Sequence, residues 1–547
     1  MPPTPWTQNY DPLGNAWLST AAAATPVLLL LYLLAVRRIA AHMAALYGFL
    51  AAVVLAGLVF RMPWTMVGGA VAHGLVFAAI RICWTLIAAV FIYELTVESG
   101  RFETVKNSIG GLTADRRLQV LLIAFAFGAV LEGAAGGGAP VAIAGAMMVG
   151  LGFHPFAAAV LCLIANTAPV AFGAIGNPIR VLVAVTGLGE ADLSAMVGRI
   201  LPATAAILPI WLVRSMTTWR NTLSAWPALL LCGGVFGAIQ FYWSNYRDAG
   251  LVDLVGGIVT LAVLALFFRF WRPAREWRYP DEPPPQPVRA GSAAEVAHAW
   301  TPFLLLAVFV VLWGAPTVKK MLDPTTVAIP VPGLHQLVVR TAPVVAKDHA
   351  EPAVFDIAWL SAVGMGIFLS GVVSGPILGL SLGRTFRVFL RTCVRLRYSM
   401  VAIAAMLGLG YVTRYSGMDA VMGLALTHTG FLYPFFGTLL GWLGVALTGT
   451  DAGSNALFGS LQVITANQLS ISPVLMAAAN SAGGVMGKMI DAQSIIVACA
   501  AVGQEGKEGD VFRAVLPHSI ALAAIVGAIV YWFAYYGQAW IPNGRAW

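Results

Sequence analysis

The feature that most constrains this chain is how rarely charge interrupts it. Apolar runs of about 20 residues recur from end to end, with Lys, Arg, Asp and Glu gathered in clusters between them. A helix needs about that length to cross roughly 30 Å of hydrocarbon at 1.5 Å per residue. Only 10% of the 547 residues are charged and 59% are hydrophobic, against about 25% charged in a soluble domain. Backbone groups in lipid must be satisfied within the chain, so the expected fold is an all-α polytopic membrane protein embedded in the lipid bilayer.

Apolar runs between charged or Pro/Gly-rich breaks give about twelve transmembrane helices. They lie near 14–36, 43–60, 66–97, 156–185, 193–213, 223–245 and 250–268, then 300–316, 357–381, 398–413, 473–500 and 514–537. Two further apolar stretches, 118–152 and 430–467, are interrupted by small residues, as expected of re-entrant hairpins or closely packed helix pairs. Residues 1–268 and 300–547 thus form two transmembrane halves around a cytoplasmic Arg/Pro-rich loop, 269–299, whose YPDEPPPQPVRAG run has linker composition. Orientation follows from basic residues. Arg101, Lys106, Arg116, Arg117 and the runs Arg269 to Arg289 and Arg384 to Arg397 fall inside, while the fewer outside include Arg61, Arg247, Arg340, Lys347 and Arg414. The alternation holds only if each interrupted stretch returns to the side it entered from, and it places a second loop, 317–356, outside.

The same placement accounts for the net charge of +8 without a nucleic-acid partner, because the basic residues flank apolar segments. Cys83, Cys162, Cys232, Cys393 and Cys499 stand singly in apolar stretches, so neither metal nor redox site is expected. There is no Walker A or HExxH motif and no Cys/His metal cluster, which argues against an enzyme and leaves no cofactor to place; no repeated filter motif suggests a channel. The N-terminus has no basic n-region and Arg37-Arg38 follow the first apolar run, so no cleaved signal is expected.

The interrupted stretches align with each other. GAVLEGAAGGGAP (128–140) matches GVALTGTDAGSNA (444–456) at Gly128/Gly444, Leu131/Leu447, Gly133/Gly449 and Gly137/Gly453. At nearly the same offset, ANTAPVAFGAIGN (165–177) matches ANSAGGVMGKMID (479–491) at Asn166/Asn480 and Gly173/Gly487, with Thr167 opposite Ser481. The first stretch enters from the cytoplasm and the second from outside, so the duplication reads as inverted-topology repeats. Such repeats, with broken helices at matching positions, point to a secondary transporter whose site lies near the bilayer midplane. Freed backbone groups there must line a polar cavity, and N–H groups at half-helix N-termini suit a carboxylate. Close helix packing is the competing account of the glycines, and Gly133-x-x-x-Gly137 fits it.

Polar groups in these breaks form the candidate site. Gly136 and Gly137 offer backbone, while Asn166, Thr167, Asn480 and Ser481 offer neutral partners for a carboxylate, a hydroxyl or a cation. Lys488 either meets a substrate carboxylate or pairs with Asp491 three residues on. Arg180, just past Gly176-Asn177-Pro178, either binds substrate or pairs with a carboxylate of the other half. Glu132 and Asp451 are the candidate proton carriers, since desolvation disfavours a charged carboxyl; the alternative is that they neutralise Arg180 or Lys488. Arg199 reads as a snorkelling span-end residue, and Arg81 with His73 as a buried pair or a pathway group.

At these residues the chain resembles the L-lactate permease family. The blocks that carry the resemblance are QNYDPLGNAWLS (8–19), EGAAGGGAPVAI (132–143), LCLIANTAPVAFGAIG (161–176), LGWLGVALTGTDAGSNALF (440–458) and SIIVACAAVG (494–503). The resemblance implies a bacterial inner-membrane symporter that takes up L-lactate, D-lactate or glycolate with a proton; a sodium-coupled carrier for another 2-hydroxy-monocarboxylate is the alternative. Four positions depart from the family pattern: Gly137 replaces a Phe, Asn177 and Arg180 replace apolar residues, and Asp491-Ala492 replaces Ser-Pro. These changes would suit a larger or more anionic 2-hydroxy acid, or a compensating Arg180–Asp491 pair.

Overall fold

Helices take up nearly every apolar run, and their boundaries show where propensity and pairing outweigh hydropathy. The computed structural model describes residues 4–544 except 36, 38, 135, 137, 280–290, 315, 346 and 505. Among the described residues, nine helices are long and apolar enough to cross a membrane, and two bent helix pairs bring the number to eleven. The expected dozen comprises seven of the nine, both bent pairs, and the apolar helices Ala16–Ala35, Ala41–Leu58 and Val363–Ile377. The other two of the nine, Arg116–Ala134 and Met418–Ala446, belong to the interrupted stretches.

Both interrupted stretches are helix pairs. In the first hairpin Arg116–Ala134 turns into Ala139–Gly150; in the second Tyr433–Thr448 turns into Asp451–Gln468, and in each the arms pack on one another. A broken helix follows each: Pro155–Ala165 with Gly173–Thr186, bent by 62° in the joined segment, and Pro473–Gly487 with Ala492–Val502, bent by 40°. The second arms are exchanged between halves. Gly173–Thr186 packs on Asp451–Gln468, and Ala492–Val502 packs on Ala139–Gly150. The Asn455 amide donates to the Pro178 carbonyl (3.1 Å) across the first of these contacts.

Local chemistry sets the breaks. Gly449 adopts a left-handed φ of 76° that ends its helix, and Thr450 accepts from the Gly453 N–H to start the next. Asp491 likewise caps the last arm by accepting from the Ser494 N–H (2.7 Å). In the first broken helix Ala174, Ile175 and Gly176 are left-handed in succession (φ 44°, 59° and 70°), a conformation that costs roughly 1–2 kcal/mol at each residue carrying a Cβ.

Two boundaries differ from the sequence expectation. The span near 398–413 is part of a 35-residue helix, Leu382–Ser416, because its arginines are good helix formers and pair with Glu94 and Glu98. The loop expected over 269–299 is shorter: Ala293–Gly314 is helical, and Arg275 and Trp277 are fastened to Asp115, Arg116 and Arg117 by three hydrogen bonds around the buried Asp115–Arg117 pair.

The outer loop is an ordered cap. Trp6–Thr7 pairs in parallel with Val338–Arg340, which pairs antiparallel with His349–Ala350, and Val327–Pro330 pairs with Val354–Ile357. Glu351 of this cap is gripped by Arg340 (3.0 Å) and Arg414 (2.9 Å), and Arg414 also donates to the Ala184 and Val185 carbonyls that end the first broken helix. Burial alone would raise the Glu351 carboxyl, but the Arg414 and Arg340 guanidiniums outweigh it and hold the group below its ordinary value of 4.5. A depressed carboxyl contributes stability above its unfolded pKa and loses it as pH falls through the folded one. The melting temperature of the purified protein is therefore expected to drop as pH is lowered past about 4, with that drop reduced in Glu351→Gln. An unchanged acid limb in the variant would show that the cap adds nothing there.

Candidate functional site

The breaks converge on one buried polar cluster. Lys488, 4% exposed, follows the end of Pro473–Gly487; its Nζ donates to the Gly449 carbonyl at 2.7 Å and pairs with Asp491 Oδ2 at 3.2 Å. The ammonium thus ties the second broken helix to the second hairpin and keeps one of its three donors for another acceptor. Its field also reaches Glu132 from the first half and Asp451 from the second. One cation therefore faces three carboxyl groups.

The two candidate acids differ in setting. Asp451 opens the second arm of its hairpin, and its Oδ2 accepts from Ser481 and from Asn455, while Oδ1 has no hydrogen-bond partner among the described residues. Glu132 ends beside Gly173, where any side chain would collide with its carboxyl; its Oε2 is also without a partner among the described residues. Asn166 is buried next to Glu132, with its amide set against that carboxyl. Asn480 is engaged instead, donating to Asn455 Oδ1 (2.9 Å) and accepting from Gln462 (3.2 Å).

The structure thus brings together Lys488, Glu132, Asp451, Asn166, Ser481 and, one layer out, Asn480. Gly136 adopts φ 61° at the end of the Glu132 segment, and Gly137 lies outside the described residues. Thr167 turns away, its hydroxyl donating to the Ile164 carbonyl. Arg180 is not in the cluster. Its Nη1 donates to the Ile175 carbonyl (2.7 Å), bracing the left-handed turn, and its guanidinium lies 3.7 Å from both Glu190 and Asp248 of its own half. With Asp491 held by Lys488, an Arg180–Asp491 pair does not form. Gly133 behaves as close packing requires, since a Cβ there would strike Leu254 N and Asp253. Of the remaining span residues, His73 bonds the Tyr415 hydroxyl and the Val354 carbonyl of the cap, Arg199 bonds Asn245 and the Trp540 carbonyl, and the Arg81 side chain lies outside the described ones.

Sequence reasoning missed Asn455, Gln462 and Asp253. The amides sit in helices whose neighbours are small and apolar, and only their recurrence along the Asp451–Gln468 face, seven residues apart, marked them.

A buried polar cluster at paired helix breaks within a bundle of apolar helices defines a polytopic membrane transporter. A family model described as L-lactate permease matches residues 19–536. Glycolate permease GlcA of Escherichia coli K12 is 43% identical over 97% of this chain and 98% of its own length. The L-lactate permease of the same strain is 42% identical over 98% of this chain and 100% of its own. Among solved structures, the Alcanivorax borkumensis YdaH transporter aligns over 87% of this chain and 89% of its own at 14% identity, with a TM-score of 0.46. The chain belongs to the L-lactate permease family, and it is a multi-pass protein of the bacterial inner membrane rather than an enzyme.

Proposed function

We propose that the protein imports L-lactate, D-lactate or glycolate by proton symport, with the substrate carboxylate at Lys488 and the coupled proton on Glu132 or Asp451. The permease relatives support the substrate class. The observation that carries the coupling is the charge imbalance of the cluster: Lys488 is already paired with Asp491, so Glu132 and Asp451 have no cation of their own. Two unit charges 4 Å apart at a protein surface interact by about 4 kcal/mol. A monocarboxylate therefore binds beside these acids when a proton neutralises one of them, and leaves with that proton. Inverted repeats supply the two-sided access, each hairpin opening toward its own side of entry.

Counterflow of labelled L-lactate into proteoliposomes preloaded with each of a panel of unlabelled 2-hydroxy acids tests the substrate class. D-lactate and glycolate should drive counterflow and dicarboxylates should not. In sodium-free buffer, electroneutral symport should concentrate lactate about tenfold per imposed pH unit, the equivalent of about 1.4 kcal/mol. Accumulation that requires sodium and ignores the pH gradient would replace the proton with Na⁺, for which the unwound carbonyls and Asn/Ser side chains are suitable ligands.

A further inference from the structure

We infer that Asp253 is a second acid of the coupling site, holding the transported proton jointly with Glu132. The inference rests on the proton-symport reading above. Asp253 lies in the first turn of Val252–Phe270, a helix that packs along the first hairpin so closely that Gly133 abuts the Asp253 Cβ and the Leu254 N–H. It is fully buried, and neither carboxyl oxygen has a hydrogen-bond partner among the described residues.

An acid in a first helical turn ordinarily gains from the free N–H groups and positive end of the helix. Asp253 accepts from none of them. Nor does it face a cation among the described residues. Of the charged side chains on the elements packed against its helix, Glu132 is the one whose field reaches it; Arg180 stays with the Ile175 carbonyl, Glu190 and Asp248, and the helix Trp226–Tyr246 carries no charge. A carboxylate deprived of both donor and counter-ion is among the most costly groups to bury. A proton is the ligand that satisfies it.

Two further groups of the same hairpin region bear on that proton. Glu132 Oε2 lacks a partner, and Asn166, 2% exposed, presents its amide to the Glu132 carboxyl. Proton uptake forms an O–H bond on one carboxyl of the Glu132–Asp253 pair, the other carboxyl or the Asn166 amide accepts that hydrogen bond, and release breaks the O–H bond and returns the proton to water on the far side. One proton and one monocarboxylate cross, and both acids are regenerated.

The test uses the full-length protein in sodium-free proteoliposomes. Asp253→Asn should cut lactate accumulation under a one-unit pH gradient from about tenfold to near unity, and counterflow should lose its pH dependence. Asp253→Glu should recover part of both. In lactate-induced infrared difference spectra, the carboxylic-acid C=O band of the wild type should vanish in Asp253→Asn and shift in Glu132→Gln. Wild-type accumulation and pH profile in Asp253→Asn would overturn the inference. So would joint loss of accumulation and counterflow with the acid band unchanged, which would leave Asp253 a packing residue against Gly133. A wild-type protein that ignores the pH gradient would instead defeat the symport reading itself.

Discussion

Lys488→Met should raise the apparent Kd for lactate at least about tenfold, since a charge-assisted hydrogen bond is worth roughly 1.5–3 kcal/mol. The ammonium is buried and already holds the Gly449 carbonyl and Asp491, so its loss also strands a carboxylate in the protein interior. Breaking a buried pair in this way costs about 3–5 kcal/mol. Stability and binding are separated by the double variant Lys488→Met/Asp491→Asn. Asparagine still caps Ala492–Val502 through its side-chain oxygen, as Asp491 does for the Ser494 N–H, but carries no charge. If Lys488 binds substrate, the double variant regains folding yield and stays weak for lactate. Recovery of wild-type affinity in the double variant would confine Lys488 to neutralising Asp491.

Glu132→Gln and Asp451→Asn are expected to give the largest change in coupling. At whichever residue carries the proton, the pH-driven concentration ratio should collapse from about ten per unit to about one, while lactate-for-lactate exchange persists because it moves no net proton. Each acid has one oxygen without a partner, which is where a proton is accommodated. Their surroundings separate the outcomes. Asn at position 451 keeps an acceptor for Ser481 but presents an amide to Asn455, so some loss of expression is expected there. Glutamine at 132 meets Gly173 and the Asn166 amide, which can accept or donate to it. A residue that serves only as an ion-pair partner would lose folding yield and exchange together. If both variants still concentrate lactate under an imposed pH gradient, neither carries the proton.

Much of this site was legible in the sequence because lipid makes charge conspicuous. Lys488, Glu132 and Asp451 stood out as ionisable groups inside Gly-rich apolar stretches, and the structure places all three in one cluster. Arg180 stood out equally and lies elsewhere, since its partners Glu190 and Asp248 come from loop and helix-start positions where acids attract no notice. Asp253 escaped for the same reason: an acid three residues into an apolar run reads as the wet end of a span, and burial by Gly133 is a tertiary fact. The strands of the outer cap were likewise hidden, being two to four residues long and paired across more than 300 positions in the case of Trp6 and Val338.

The exchange of second arms between halves has a consequence for how such a protein can be inherited. Each half contains a broken helix whose closing arm finds its wall in the other half: Gly173–Thr186 against Asp451–Gln468, and Ala492–Val502 against Ala139–Gly150. A half made alone would present an arm with no groove to fill, and its freed backbone at the break would meet hydrocarbon. The two halves are therefore mutually dependent at these walls, and a substitution on one wall is expected to be felt by the arm that the other half lends it, as at the Asn455 bond to the Pro178 carbonyl.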